Sequence, residues 1–230
     1  MDVLGRIRGG LVVSCQPVPG GALDRPGIVA AFAQAALDGG AVGLRIEGLA
    51  NLAAVRAVTD APVIGLIKVD RDDTPVRITP LVEHVQGLIA GGADIVAVDA
   101  TDRIRPVPLP DLLAAIRAGG ALAMADCATA ADGQAAQALG FDILGSTMAG
   151  YTGGPVPEGP DLGLVRALAA TGGFVVAEGR YQAPAQAAQA IAAGASAVVA
   201  GSAITRPEHV TAWFAEAIRS AGAARSGAAR

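Results

Sequence analysis

The chain has 230 residues, of which 52% are hydrophobic and only 3% aromatic, and it carries a formal net charge of −4. That length suits one large α/β domain whose core is filled by Ala, Val, Leu and Ile rather than by rings. With no basic surplus to displace counterions from a polyanion, nucleic acid is excluded as an expected partner, and an anionic ligand must be held by a few placed Arg and Lys side chains.

At the N-terminus, Met1 to Arg8 is charged and the apolar run Leu11–Val13 is too brief for a signal-peptide core. No stretch free of Gly, Pro and charge is long enough to cross a bilayer, so a soluble, cytoplasmic protein is expected. Cys15 and Cys127 lie far apart in sequence and read as reduced, packed thiols, not as a disulfide framework.

Along the chain a short apolar run repeatedly ends in a polar residue and is followed by an amphipathic segment, often closed by Gly. The runs are Leu11–Cys15, Ala41–Leu44, Pro62–Ile67, Ile95–Val98, Ala121–Ala125, Phe141–Leu144, Phe174–Ala177 and Ala197–Ala200. Several are rich in Val and Ile without alternation, as expected of parallel strands buried on both faces. Between them, Ile28, Val29 and Phe32 precede Gly39-Gly40; Leu81, Val82, Val85, Leu88 and Ile89 make one helical stripe before Gly91-Gly92; and Leu112, Leu113 and Ile116 precede Gly119-Gly120. Thr129-x-x-Asp132 has the form of an N-terminal capping box. Val210, Trp213, Phe214, Ala217 and Ile218 form a last stripe, opened by Pro207. Eight strand–helix units in residues 1–219 predict a single (β/α)8 (TIM) barrel. An open doubly wound sheet would call for a G-x-G-x-x-G turn after the first strand, which is missing. The Ala, Gly, Ser and Arg tail, 220–230, is expected to fray.

The strand ends carry the functional information. In order they are Gln16, Arg45, Lys68, Asp99, Asp126, Ser146-Thr147, Glu178 and Ser202. In a barrel these side chains converge on the C-terminal mouth, where barrel active sites lie. Strand ends are also simply where a chain becomes wet, which explains Ser and Gln. It explains Lys68 poorly, because that residue follows the apolar run Pro62–Ile67 and an unpaired charge there is costly. Glu178 holds the matching position on the seventh strand, opposite the third in a ring of eight. A base on one wall and an acid on the other can address opposite faces of one carbon and invert it. A plain salt bridge between Glu178 and Lys68 or Arg180 is the structural alternative. The loops after strands seven and eight, the usual phosphate site of this fold, contain Gly179-Arg180 and Gly201-Ser202 with Arg206 nearby, an arrangement of backbone N–H groups and guanidinium suited to a phosphate. The long segment from Gly153-Gly154-Pro155 to Pro160 is a candidate lid. His84 and His209 are expected at the surface, and no metal-ligand cluster or cofactor signature is visible. Asp99 and Asp126 suit hydrogen bonds to substrate hydroxyls or to Lys68. Arg103 and Arg105 fit solvated charges and anion contacts equally.

Several blocks then take on a pattern. Ser14-Cys-Gln16-Pro, Val42-Gly-Leu-Arg45, Val63-Ile-Gly-Leu-Ile-Lys68, Val98-Asp-Ala-Thr101, Met124-Ala-Asp126, Gly150-Tyr-Thr152, Ala177-Glu-Gly-Arg180 and Gly201-Ser-Ala-Ile-Thr-Arg-Pro207 resemble the N-acetylmannosamine-6-phosphate 2-epimerases, in family order from about Gly10 to Ile218. The resemblance implies conversion of N-acetylmannosamine 6-phosphate to N-acetylglucosamine 6-phosphate in sialic acid and amino-sugar catabolism. It implies catalytic roles for Lys68 and Glu178, and substrate contacts by Gln16, Arg45 and Asp126, with Thr147 beside them. It also implies a homodimer. The chain departs from the pattern at Ile46-Glu47, Val69-Asp-Arg71 and Arg77. In the ring-opened sugar C2 adjoins the C1 aldehyde, so its proton is acidic and the chemistry calls for no redox cofactor. Three rivals remain: a Schiff-base aldolase-type barrel with Lys68 as nucleophile, a sugar-phosphate-binding barrel without turnover, and a different phosphosugar isomerase on the same scaffold.

Overall fold

The computed structural model describes residues 2–227. Eight parallel strands close into a barrel in sequence order: β1 (Leu11–Cys15), β2 (Gly43–Glu47), β3 (Val63–Leu66), β4 (Ile95–Asp99), β5 (Leu122–Asp126), β6 (Ile143–Gly145), β7 (Phe174–Glu178) and β8 (Ala197–Ala200). The ring shuts where β1 pairs with β8, Val12 beside Val199. The helices are α1 (Val3–Ile7), α2 (Pro26–Asp38), α3 (Leu49–Arg56), α4 (Val82–Ala90), α5 (Leu109–Ala118), α6 (Ala130–Leu139), α7 (Leu162–Ala169), α8 (Pro184–Ala192), α9 (Ser202–Thr205) and α10 (Pro207–Gly227). The expected (β/α)8 barrel is therefore the observed fold.

Because side chains alternate along a strand, each strand feeds two cores. Val13, Leu44, Val63, Val96, Ala125, Val175 and Val198 point outward and join the buried faces of the helices, among them Val55, Leu88, Ile116 and Leu168. Val12, Ile64, Ile95, Met124, Ile143, Val176 and Val199 point inward and fill the barrel. That both faces are apolar is why the runs read as unbroken. The capping box of α6 forms as expected, with the Thr129 hydroxyl accepting from the Asp132 N–H and the Asp132 carboxylate accepting from the Thr129 N–H.

Three features differ from the sequence reading. Helix α1 was not foreseen; it lays Ile7, Val3 and Leu4 against the inner core and closes the floor of the barrel, with Arg8 stacked 4.8 Å from the Phe174 ring centroid. β2 continues through Arg45 to Glu47 instead of stopping at Leu44, because Arg45 is neutralised by buried carboxylates and so need not leave the sheet. The segment expected to fray from Ser220 is helical as far as Gly227, consistent with its Ala-rich composition; residues 228–230 lie outside the described residues. No helix of the described residues is long and apolar enough to cross a membrane.

Candidate active site

The inward parity that fills the barrel with Val and Ile turns polar toward the C-terminal ends of the strands. Following Val12 come Ser14 and Gln16; Gly43 is succeeded by Arg45, Met124 by Asp126 and Val176 by Glu178. These side chains reach the C-terminal mouth, where a cavity of about 680 Å³ is lined by Gln16, Arg45, Lys68, Asp99, Thr147 and Glu178 together with Gly179, Arg180, Gly201, Ser202 and Arg206. Lys68 on the β3 wall and Glu178 on the β7 wall face this cavity from strands four apart in the ring.

At the bottom of the mouth lies Arg45, only 1% exposed. Its Nη2 is 2.6 Å from Asp126 Oδ2 and its Nη1 2.7 Å from Glu178 Oε2, with a second bond from Nη1 to Asp126 Oδ1 at 3.2 Å. Burial works against its charge, but Asp126 and Glu178 outweigh that and hold it firmly protonated. Thr147 Oγ1 stands 2.6 Å from Asp126 Oδ1 and 3.2 Å from Glu178 Oε2, linking the two carboxyl groups. Asp126 itself is fully buried and does not line the cavity; it supports Arg45 and Thr147 from behind.

The Lys68 Nζ donates to Gln16 Oε1 at 2.6 Å, and the Gln16 amide nitrogen donates to Ser14 Oγ at 2.7 Å. The side chain is accessible to solvent, less enclosed than the apolar run before it suggests, yet it stands within the protein walls of the mouth. Desolvation there lowers its pKa, and the positive charges of Arg45 and Arg206 lower it further against the pull of Glu178 and Glu47. The Glu178 carboxyl is shifted the other way: burial raises its pKa, Asp126 adds to the rise, and Arg45 and Lys68 oppose it. The two groups are thus drawn toward each other's titration range, the condition under which one proton can be shared between a base and an acid.

Around the ends of β7 and β8, the backbone N–H groups of Gly179, Arg180, Gly201 and Ser202 have no acceptor among the described residues, although all four residues line the cavity. Arg206 joins them, its Nε donating to the Gln16 carbonyl at 2.7 Å. Arg180 is committed differently. Its Nε donates to Gly159 O at 2.7 Å and its Nη1 to Ala149 O at 2.6 Å, and its backbone is held at a φ of +61°, rare for a residue with a side chain. It fastens the 150–160 loop, which brings Tyr151, Val156, Pro157 and Glu158 over the cavity.

Other residues fall in less expected places. His209, expected at the surface, lines the cavity, as does Trp213 one turn further along α10; their i, i+4 spacing was the available signal. His84 is half-buried on α4, away from the mouth. Arg105 donates to the carbonyls of Asp99, at 2.8 Å, and Thr101, and so shapes a loop. Arg103 lines the cavity in an ion pair with Asp99. Among the described residues there is no group of three His, Cys, Asp or Glu side chains placed to hold a metal ion.

Fold and site together define a class, a (β/α)8 barrel with an opposed amine and carboxyl at its mouth beside a set of unpaired backbone donors. Comparison with known proteins narrows it. The family described as "Putative N-acetylmannosamine-6-phosphate epimerase" matches residues 29–220, and the chain belongs to that family. It is 56% identical over 220 residues to the "Putative N-acetylmannosamine-6-phosphate 2-epimerase" of Actinobacillus pleuropneumoniae serotype 5b, covering 96% of both chains. It is 57% identical to the "Bifunctional enzyme NanE/NanK" of Brucella melitensis, covering 96% of this chain and 43% of that longer protein. Among solved structures, the N-acetylmannosamine-6-phosphate 2-epimerase from Clostridium perfringens superimposes with a TM-score of 0.91 at 36% identity, covering 94% of this chain and 96% of that one.

Proposed function

We propose that the protein inverts C2 of N-acetylmannosamine 6-phosphate to give N-acetylglucosamine 6-phosphate, an N-acylglucosamine-6-phosphate 2-epimerase activity. The observation that carries this reading is that Lys68 and Glu178 open on one cavity from opposite walls. In the open-chain sugar, neutral Lys68 removes the C2 proton, the electron pair delocalises toward the C1 oxygen as an enolate, and the carboxyl of Glu178 returns a proton to the other face. The reverse reaction exchanges the roles. The unpaired N–H groups of Gly179, Arg180, Gly201 and Ser202, with the Arg206 guanidinium, suit the phosphate, whose position fixes the sugar chain across the mouth. Gln16 orients Lys68, while Asp126 and Thr147 orient Arg45 and Glu178.

The 2.7 Å contact between Arg45 and Glu178 favours a second reading, in which Glu178 stays a carboxylate that positions Arg45 while Lys68 alone handles protons. Proton NMR in deuterated water separates the two. Lys68→Met should lose C2 exchange by roughly 10²–10⁴-fold. Glu178→Gln should still exchange the C2 proton of the starting epimer while failing to invert it; inversion at the parent's rate would remove Glu178 from proton transfer. A Schiff base to Lys68 would be trapped by borohydride, and none is expected.

The same reading includes a homodimer and a reducing, cytoplasmic setting. Phe214 and Ile218 are 68% and 71% exposed on α10, which packs mainly on α9, so a second copy is the natural cover; sedimentation velocity tests this. Both cysteines are buried free thiols, and burial pushes the Cys15 pKa up to about 12.

A further inference from the structure

We propose that Arg103 is a specificity residue that recognises the acyl group on the substrate nitrogen through its carbonyl oxygen. This rests on the proposed sugar-phosphate chemistry. The Arg103 side chain is fixed on two sides, Nε donating to Thr101 Oγ1 at 2.8 Å and Nη2 to Asp99 Oδ2 at 2.5 Å. Asp99 is held in turn, its Oδ1 accepting from the Thr101 N–H at 3.0 Å and the Thr101 hydroxyl at 2.6 Å. Nη1 of Arg103 has no acceptor among the described residues, and the residue lines the cavity with 19% of its side chain exposed. A guanidinium locked this way gives up little rotamer freedom when it donates to a ligand.

Position decides which part of the ligand it meets. β4, which carries Asp99 and leads into Arg103, stands opposite β8 in the ring, and the unpaired N–H groups suited to phosphate are at the ends of β7 and β8. A sugar anchored there by its 6-phosphate, with C2 between Lys68 and Glu178, directs its C1–C2 end toward the β4 wall. Charge agrees as well. Arg103 and Asp99 form a neutral pair, which suits a neutral carbonyl better than a second anion. The surroundings fit the rest of a small acyl group. Pro75 and Ile78 line the same wall, and the Ile78 carbonyl accepts from the Asp99 N–H at 3.1 Å. The loop bearing Arg103 is tied to the loop bearing Pro75 by the Thr74 hydroxyl, which donates to Ile104 O at 2.5 Å. A donor beside an apolar wall is complementary to a carbonyl carrying a methyl.

Isothermal titration of the full chain with N-acetylglucosamine 6-phosphate and with glucose 6-phosphate tests the assignment, the two ligands differing at C2 alone. Arg103→Met should lose roughly ten- to a hundredfold in affinity for the acylated ligand, the scale of one charge-assisted hydrogen bond, while its affinity for glucose 6-phosphate stays within about twofold. Because Arg103→Met leaves Asp99 unpaired, the double variant Asp99→Asn/Arg103→Met, which removes both charges, should show the same selective loss. Equal losses for both ligands, or no loss for either, in a folded double variant would overturn the assignment. The binding readout does not depend on turnover: a parent chain that binds both ligands but leaves C2 untouched would sink the epimerase reading and leave the Arg103 result standing.

Discussion

Removing the guanidinium at the base of the mouth is the severest single test of how the site is held together. Arg45→Met keeps the length and apolar stem of the side chain but strands two carboxyl groups, Asp126 at 0% exposure and Glu178 at 13%. Three contacts to carboxylates disappear, two to Asp126 and one to Glu178, and Thr147 is left to serve both acids. Breaking a buried ion pair by deleting one partner costs about 3–5 kcal/mol, and for a domain of this size each kcal/mol moves Tm by roughly 2–4 °C, so the variant should melt on the order of 6–20 °C lower. Calorimetry at pH 8 measures this directly. Without Arg45, Glu178 keeps the burial and the neighbouring Asp126 that raise its pKa, so its penalty is absent below the unfolded pKa, builds between the unfolded and the folded value, and is complete above the folded one. The gap to the parent should therefore narrow at pH 5. Adding Asp126→Asn and Glu178→Gln to Arg45→Met should recover stability. A variant melting within about 2 °C of the parent, or a triple variant no more stable than Arg45→Met, would refute the argument that buried charge pairing holds the mouth together.

Three further outcomes follow from the same geometry. If Lys68 and Glu178 share one proton, kcat/KM should be bell-shaped and confined between the ordinary values of 4.5 and 10.5, since the Glu178 pKa lies above the first and that of Lys68 below the second; activity still climbing above about pH 9 would show that only an unprotonated amine is required. Arg206→Met should raise KM for the sugar phosphate and also move the alkaline limb upward, because Arg206 is one of the charges depressing Lys68; a change in KM alone would leave that coupling unsupported. Gly145→Ala should lower kcat by roughly ten- to a hundredfold with the fold retained, because its Cβ would lie 2.6 Å from Met124 Cε, 3.1 Å from Asp126 Oδ1 and 3.2 Å from Thr147 Oγ1; an unchanged kcat would mean those groups tolerate displacement.

The barrel was legible in the sequence because strands buried on both faces leave unbroken apolar runs, and closing Gly residues punctuate the helices. Lys68 and Glu178 were legible for a related reason: a charge at the end of such a run has few structural explanations. Depth was not legible. Position in a list of strand ends cannot say that Asp126 lies behind Arg45 and out of the cavity, because that depends on how far each strand extends past its neighbours. The same limit hid the length of β2, whose Arg45 stays within the sheet only because acids on β5 and β7 meet it. His209 and Trp213 were missed because an amphipathic stripe does not reveal that its first two turns overhang the mouth. Arg103 was ambiguous in sequence, where nothing shows that the carboxylate four residues earlier points back to grip it. Helix α1 escaped because its few apolar residues are spaced too briefly to declare a period.

The plug formed by α1 makes the barrel a blind vessel with one doorway. On the proposed reaction, two sugars differing at a single stereocentre must share that doorway and the same anion anchor, so each competes with the other for the vacant enzyme on nearly equal terms. Such a catalyst cannot impose a direction: net flux depends on how fast neighbouring enzymes drain one epimer or supply the other, and accumulated product throttles turnover without any dedicated regulatory site.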